Sequence, residues 1–266
     1  MNIVAVDIGN STITVGLFLD DTEKFIETFD GADSDKLTEV LKKAWDMVPI
    51  SKISTEKKRN GVIVVGSVKN AWTTQLKKIA RQELDEKVFE IGCGKDIPLP
   101  MKMAVDKPEE VGVDRVLSAF AAYTVVGDAV TVADFGTAVT IDLVDEDGSF
   151  LGGVIIPGFQ MSAQALKEST AKLPKINKVK KPKSPYGVNT KEAINSGLYY
   201  AAVGAMENML RAYADELGKW PQAIVTGGAA ETIREDCNFV DSFVTDLPIN
   251  GIVLTYKKYV EEKTAI

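Results

Sequence analysis

The feature that most narrows the fold of this chain is a hairpin that occurs twice. Ile3 to Val6 reads as a buried strand ending on an acid, Asp7. The polar turn Ile8-Gly9-Asn10-Ser11-Thr12 follows, and then an alternating strand, Ile13 to Leu19. In the second half, Val130-Thr131-Val132-Ala133 leads to Asp134, a turn at Phe135-Gly136-Thr137, and a strand through Val139-Thr140-Ile141-Asp142-Leu143. Asp7 aligns with Asp134, and Gly9 with Gly136. Two such hairpins point to a duplicated unit, with the hairpins facing each other across a cleft that grips a nucleotide.

The rest of the pattern supports duplication. After the first hairpin the spacing predicts a strand at Lys24–Phe29 and a helix at Ser34–Val48, capped by Asp33 or Ser34. Ser51 to Asn60 reads as a charged loop. A parallel-type strand is expected at Gly61–Gly66, a helix at Ala71–Leu84 and a strand at Lys87–Ile91. An irregular connector, Cys93 to Pro108, leads to a helix from near Glu109 to about Val126. The second half then gives strands at Ala129–Phe135, Val139–Asp145 and Phe150–Ile156, and a helix at Phe159–Thr170. A Lys/Pro-rich loop, Leu173 to Pro185, reads as solvated, with a substrate lid as the alternative. A helix at Lys191–Leu217 and a strand at Ala223–Thr226 follow. A short helix, a weak strand at Asn238–Val240 and a helix at Gly251–Glu262 close the chain. The fold class is therefore α/β, two βββαβαβ domains whose pattern resembles the actin-like (ribonuclease H-like) fold, with the division expected at 1–115 and 116–266.

Composition removes several chemistries. The chain contains no histidine, so Ser-His-Asp triads, Cys-His pairs and HExxH zinc sites are excluded. Acid–base work falls mainly to Asp, Glu, Lys or Tyr, and carboxylates with a hard cation such as Mg²⁺ become the natural chemistry. A net charge of −7 argues against a nucleic-acid partner that needs a basic surface. No apolar run approaches the ~20 residues of a membrane span, so no membrane partner is expected. The N-terminus lacks a basic region and a cleavage site, so no signal peptide is expected and the location is cytoplasmic. Cys93 and Cys237 are then free thiols.

Four constellations carry chemistry. In the first hairpin, Gly9 permits φ > 0 and a close backbone approach to an anion, while Ser11, Thr12 and Thr14 add hydroxyls. Asp7 among phosphate donors makes sense if Mg²⁺ bridges it to the phosphates. A plain hairpin with turn-favouring residues accounts for this stretch equally well on its own. The second hairpin favours the paired phosphate-loop reading: Gly136 and Thr137 supply donors, and Asp134 a second cation ligand. In Pro108-Glu109-Glu110-Val111-Gly112-Val113-Asp114-Arg115, Gly112 leaves room for a ligand and Asp114 and Arg115 are adjacent opposite charges. An ordinary helix start, where acids are favoured, is the alternative there. Gly227-Gly228 lets backbone touch a flat ligand such as adenine, or is simply a tight strand–helix turn. Gly197, Ala201, Gly204 and Asn208 form a stripe of small residues on the long helix, read as a dimer seam or as an internal packing face.

With these residues in view, the chain resembles the type III pantothenate kinases. Asp7-Ile8-Gly9-Asn10-Ser11-Thr12 is similar to the family's Asp-x-Gly-Asn-Thr, and Pro108 to Arg115 to its Pro-x-x-x-Gly-x-Asp-Arg. Asp134 to Thr140 resembles Asp-x-Gly-Thr-Ala-x-Thr. Gly152 to Gly158, Thr170 to Pro174 and Thr226-Gly227-Gly228 follow in the family's order. The resemblance implies ATP-dependent phosphorylation of pantothenate, the first step of coenzyme A synthesis. It implies Asp114 as proton acceptor, with Gly112, Val113, Asp114, Arg115 and Val105 around the substrate. Asp7, Ile8, Gly9, Asn10, Ser11, Thr12, Ile13 and Thr14 would hold ATP with its Mg²⁺, together with Gly136, Thr137, Gly227 and Gly228. Asp134 would hold a monovalent cation, K⁺ or NH₄⁺. Thr190 matches a substrate contact that the family supplies from a partner subunit, which implies a homodimer with its active site near the interface. Ser11 stands where threonine is usual, Val139 where threonine is common, Val105 where many members have tyrosine, and Lys107 where asparagine is frequent. A catalytically weak paralogue with an accessory or regulatory role, and another phosphotransferase or hydrolase of the same fold, are the alternatives.

Overall fold

A strand buried on both faces cannot alternate apolar with polar, and the opening strand does not. In β1 (Ile3–Ile8) every residue but Asp7 is buried. The computed structural model, which describes residues 1–51 and 58–265, shows why. β1 pairs antiparallel with β2 (Thr12–Leu19), and β2 with β3 (Thr22–Asp30). After helix α1 (Ser34–Met47) the chain returns as β4 (Val62–Ser67), parallel to β1 on its other side. Helix α2 (Asn70–Leu84) then leads to β5 (Val88–Glu90), parallel to β4. The sheet order is β3-β2-β1-β4-β5. Residues 52–57 of the expected charged loop lie outside the described residues.

Both faces of this sheet are covered by helices, which is what a central parallel pair requires. Val4, Val6 and Ile8 pack with Leu37, Val40, Leu41 and Ala44 of α1 and Leu76 of α2. Asp33 starts α1 by accepting the Lys36 N–H at 2.9 Å, the cap its sequence announces. Ile3 and Ala5 face the other way. They pack with Val113 and Leu117 of α3 (Val113–Val126) and with Ile249, Ile252 and Val253 of the closing helix.

The second sheet repeats the first. β7 (Val130–Phe135) pairs antiparallel with β8 (Ala138–Val144), and β8 with β9 (Ser149–Pro157). β10 (Gln222–Thr226) lies parallel on the far side of β7, and β11 (Ser242–Phe243) parallel to β10. The order is β11-β10-β7-β8-β9-β6, where β6 (Lys102–Met103) is an added edge strand. Helix α4 (Phe159–Glu168) precedes α5 (Thr190–Leu217), whose Tyr199, Ala202, Val203, Met206 and Leu210 pack with Ala133, Phe135, Ala223 and Val225. The closing helix is α6 (Leu247–Thr264).

Contacts divide the chain into two units. The first takes Met1–Lys102, Asp106–Ala121 and Asp246–Ile266, and the second Met103–Val105 and Ala122–Thr245. The closing helix thus packs with the first sheet, whereas a cut at 115/116 assigns it to the second half.

Four local expectations change. The helix expected from Glu109 is interrupted: a 3₁₀ turn at Pro108–Glu110 ends, and α3 starts only at Val113, after Gly112. The strand expected at Asn238–Val240 lies instead at Ser242–Phe243. The Lys/Pro-rich loop is not merely solvated, because Val179 is buried and Lys181 pairs with Glu235 and Asp236. The small-residue stripe of α5 is exposed, and a side chain at Gly197 or Gly204 would meet nothing, so it is not an internal packing face.

Candidate active site

Asp7 reaches its position by strand alternation. Ile3 and Ala5 point to the α3 side of the first sheet, and Asp7 follows two residues later on the same side. It is half-buried at the carboxyl end of β1, opposite Thr14 on one neighbour and Gly66 on the other. The turn after it is short: Gly9 N–H donates to Thr12 O at 3.0 Å, and Asn10, Ser11 and Thr12 are exposed. Gly9 does not use the positive φ expected of it. Its lack of a side chain instead suits a close approach, since a Cβ there would stand 3.4 Å from Thr12 O.

The start of α3 stands beside this turn. Val68 N–H donates to Ile8 O at 3.0 Å, and a Cβ on Gly112 would lie 3.6 Å from Val68 Cγ1. The same Cβ would come within 2.6 Å of Asp114 Oδ1, so Gly112 makes room for that carboxylate rather than only for a ligand. Asp114, in the first turn of α3, accepts the Arg115 N–H at 2.8 Å. Burial pushes the Asp114 carboxyl above its ordinary value, against the opposite pull of the Arg115 N–H and guanidinium. A half-buried carboxylate with raised proton affinity is what general-base chemistry at neutral pH uses. The carboxyl ends of parallel strands β1 and β4, with a helix start bearing this acid, form the kind of edge where α/β sheets bind ligands.

In the second unit Asp134 occupies the equivalent place, opposite Thr140 and Thr226. Its neighbours Ala133 and Phe135 face α5, so Asp134 faces away from that helix. The turn has two residues between strands, Gly136 and Thr137, one fewer than the first, and both are exposed. Gly227 has φ +96°, and a Cβ there would strike Asp134 Oδ1 and come 2.6 Å from Phe135 N. Ala229 N–H also donates to Phe135 O at 3.0 Å. The Gly227 turn is therefore built into the wall behind Asp134. A side chain at Gly228 would meet nothing.

Two further residues expected at the site lie elsewhere. Val105 sits beside Gly152 of β9, its Cγ1 3.6 Å from a Cβ built there. Thr190 is exposed as the first residue of α5, whose cap Asn189 accepts the Glu192 N–H at 3.0 Å. One residue at the first turn escapes sequence reasoning: Lys69, whose Nζ donates to Asn10 O at 3.1 Å. Its only signal is a lysine directly after a strand end, in a connector with no motif. Among the described residues no cluster of three or more metal-ligating side chains occurs.

Two sheets with matching strand order, each closing its central strand on an aspartate beside a short exposed turn, define a duplicated α/β protein of actin-like fold. The chain belongs to the type III pantothenate kinase family, whose family model matches residues 3–212. A type III pantothenate kinase from Agathobacter rectalis is 34% identical over 266 residues, covering 96% of this chain and 97% of that one. Another from Dehalococcoides mccartyi is 32% identical over 257 residues, covering 96% and 97%. A solved structure from Campylobacter jejuni, described as a conserved Baf family transcriptional activator, superposes with TM-score 0.59 at 19% identity over 99% of this chain and 100% of that one. That likeness speaks to the fold alone.

Proposed function

We infer that this chain transfers the γ-phosphoryl group of ATP to the primary hydroxyl of pantothenate, giving 4′-phosphopantothenate at the first step of coenzyme A synthesis. Membership of the family gives the reaction. The observation that carries the mechanism is the half-buried Asp114 carboxylate, raised in proton affinity beside the first turn. An alcohol is a poor nucleophile near neutral pH. Asp114 orients the hydroxyl and accepts its proton late, because phosphoryl transfer is mostly positioning and charge neutralisation. Gly112, Val113, Arg115 and Val105 complete the substrate set, with Arg115 offering charge to the transferring group.

Asp7 and the turn through Thr14 serve ATP and its Mg²⁺ from the first unit. Gly136, Thr137, Gly227 and Gly228 are the further residues we assign to the nucleotide. The magnesium ion, when bound, neutralises phosphate charge. Asp134, a half-buried carboxylate walled by Gly227, is the residue we assign to a monovalent cation, K⁺ or NH₄⁺. The exposed stripe on α5 supports a homodimer, to which Thr190 would contribute from the partner. The setting we assign is the cytoplasm.

ADP production with and without pantothenate, at varied Mg²⁺ and K⁺, tests the reading. Pantothenate-dependent turnover that rises with K⁺ is expected. Turnover without pantothenate would make the protein a hydrolase of this fold, and no turnover at all an accessory paralogue.

A further inference from the structure

Lys69 joins β4 to α2, and nothing above gives it a task. Its Nζ donates to Asn10 O at 3.1 Å and stands 3.2 Å from the centroid of the Trp72 ring. Trp72 fills the space beside Gly31, where a Cβ would overlap its ring. Gly31 N–H in turn donates to Ser11 O at 3.0 Å. Two consecutive carbonyls of the first turn are therefore held by donors from two different connections. Each peptide unit is planar, so fixing the carbonyls of Asn10 and Ser11 also fixes the N–H groups of Ser11 and Thr12. The Trp72 face restrains the ammonium by cation–π attraction, so Lys69 is a placed charge and not a swinging one.

We propose that Lys69 is a nucleotide-affinity residue: it positions the first turn through Asn10 and supplies the positive charge that a polyphosphate needs there. The net charge of the chain is −7 and Asp7 lies beside the turn, so an incoming triphosphate meets repulsion that Lys69 offsets. The partner chemistry is the β/γ-phosphate end of a nucleoside triphosphate. Lys69 bonds the turn and neither Gly112 nor Asp114, so its effect falls on ATP and leaves pantothenate untouched. This inference rests on reading the first turn as the nucleotide's.

The test uses the full chain with Lys69→Met, Lys69→Gln and Lys69→Arg. Steady-state kinetics give both KM values and kcat, and calorimetry gives the affinity for Mg²⁺-free inorganic tripolyphosphate. In Lys69→Met the KM for ATP rises about tenfold, the size of a lost charge-assisted hydrogen bond. Tripolyphosphate affinity falls alike, and kcat and the KM for pantothenate stay within about twofold. Lys69→Gln keeps a donor for Asn10 and still loses the affinity, while Lys69→Arg recovers most of it. An unchanged KM for ATP, an equal rise in both KM values, or full activity in Lys69→Gln overturns the assignment. If the wild type makes no pantothenate-dependent ADP, the reaction is misassigned, yet tripolyphosphate binding still decides Lys69: wild type that fails to bind it, or Lys69→Met that binds as well, refutes the inference.

Discussion

Replacing Asp114 by asparagine separates chemistry from folding more cleanly than any other change in this protein. The two side chains have one shape, and the amide oxygen can still accept the Arg115 N–H that Asp114 takes at 2.8 Å. The carboxyl is raised from its ordinary value of 3.8, first by burial, with Arg115 opposing. A raised folded value means that the native state holds the proton more tightly than the unfolded chain. Stability is therefore fullest at low pH and falls as pH climbs through the folded value. At pH 7 the ionised group costs stability, and Asp114→Asn removes that cost. The variant should melt at or above the wild-type temperature at pH 7, with the two curves converging in acid. Turnover should fall by about 10² to 10⁴, the range for a lost general base, or about 2.7–5.4 kcal/mol of barrier. Paired ADP-release assays and thermal melts read both quantities. Turnover within tenfold of wild type removes Asp114 as the base. A melt lowered by more than about 4 °C, roughly 1 kcal/mol or more in a chain of this size, shows that the loss is structural.

Gly227→Ala must adopt φ +96° and press on Asp134 and Phe135. It should cost about 2 kcal/mol or more in urea unfolding, and an unchanged midpoint would contradict the packing described. Burial pushes the Glu90 carboxyl up, but hydrogen bonds from Lys77 and Lys95 outweigh it and hold it below 4.5. Its stabilisation is present above pH 4.5 and is lost as pH falls through the lower folded value. Glu90→Gln should therefore lose about 1–2 kcal/mol at pH 7 and progressively less as the pH is taken down below 4.5, read by melts across an acid series. Burial pushes the Cys237 thiol up to about 11, while Cys93 is exposed. A thiol reagent at pH 8 should label Cys93 in the folded protein and Cys237 only after denaturant is added, as mass spectrometry of the labelled peptides will show.

The hairpins were legible because strand alternation and an Asp-x-Gly turn are local signals, and duplication made each confirm the other. The same locality explains the misses. Pro248 lies in the first turn of α6, where proline is well tolerated, so the helix starts at Leu247 and not at Gly251. β11 has two residues and two register pairs, too few to show any alternation. The α3 start at Val113 follows from Gly112, a residue more easily read as ligand space than as a helix boundary. Asp114 was visible as a motif, but its raised proton affinity comes from burial that only packing supplies. Lys69 bonds Asn10 across 59 positions, and no spacing rule reaches that far.

The return of α6 to the first sheet has a consequence for biosynthesis. Ile3, Ala5 and Val64 leave the ribosome well before Ile249, Ile252 and Val253, which help to cover them. In between, the chain builds the whole second unit. That face of the first sheet, covered by then only where α3 and its neighbours reach, therefore stays partly open while the second unit is made, a nascent surface suited to chaperone capture. Loss of residues 247–264 by proteolysis or a late stop codon would strike the N-terminal unit first, leaving the α5-packed sheet the better able to persist.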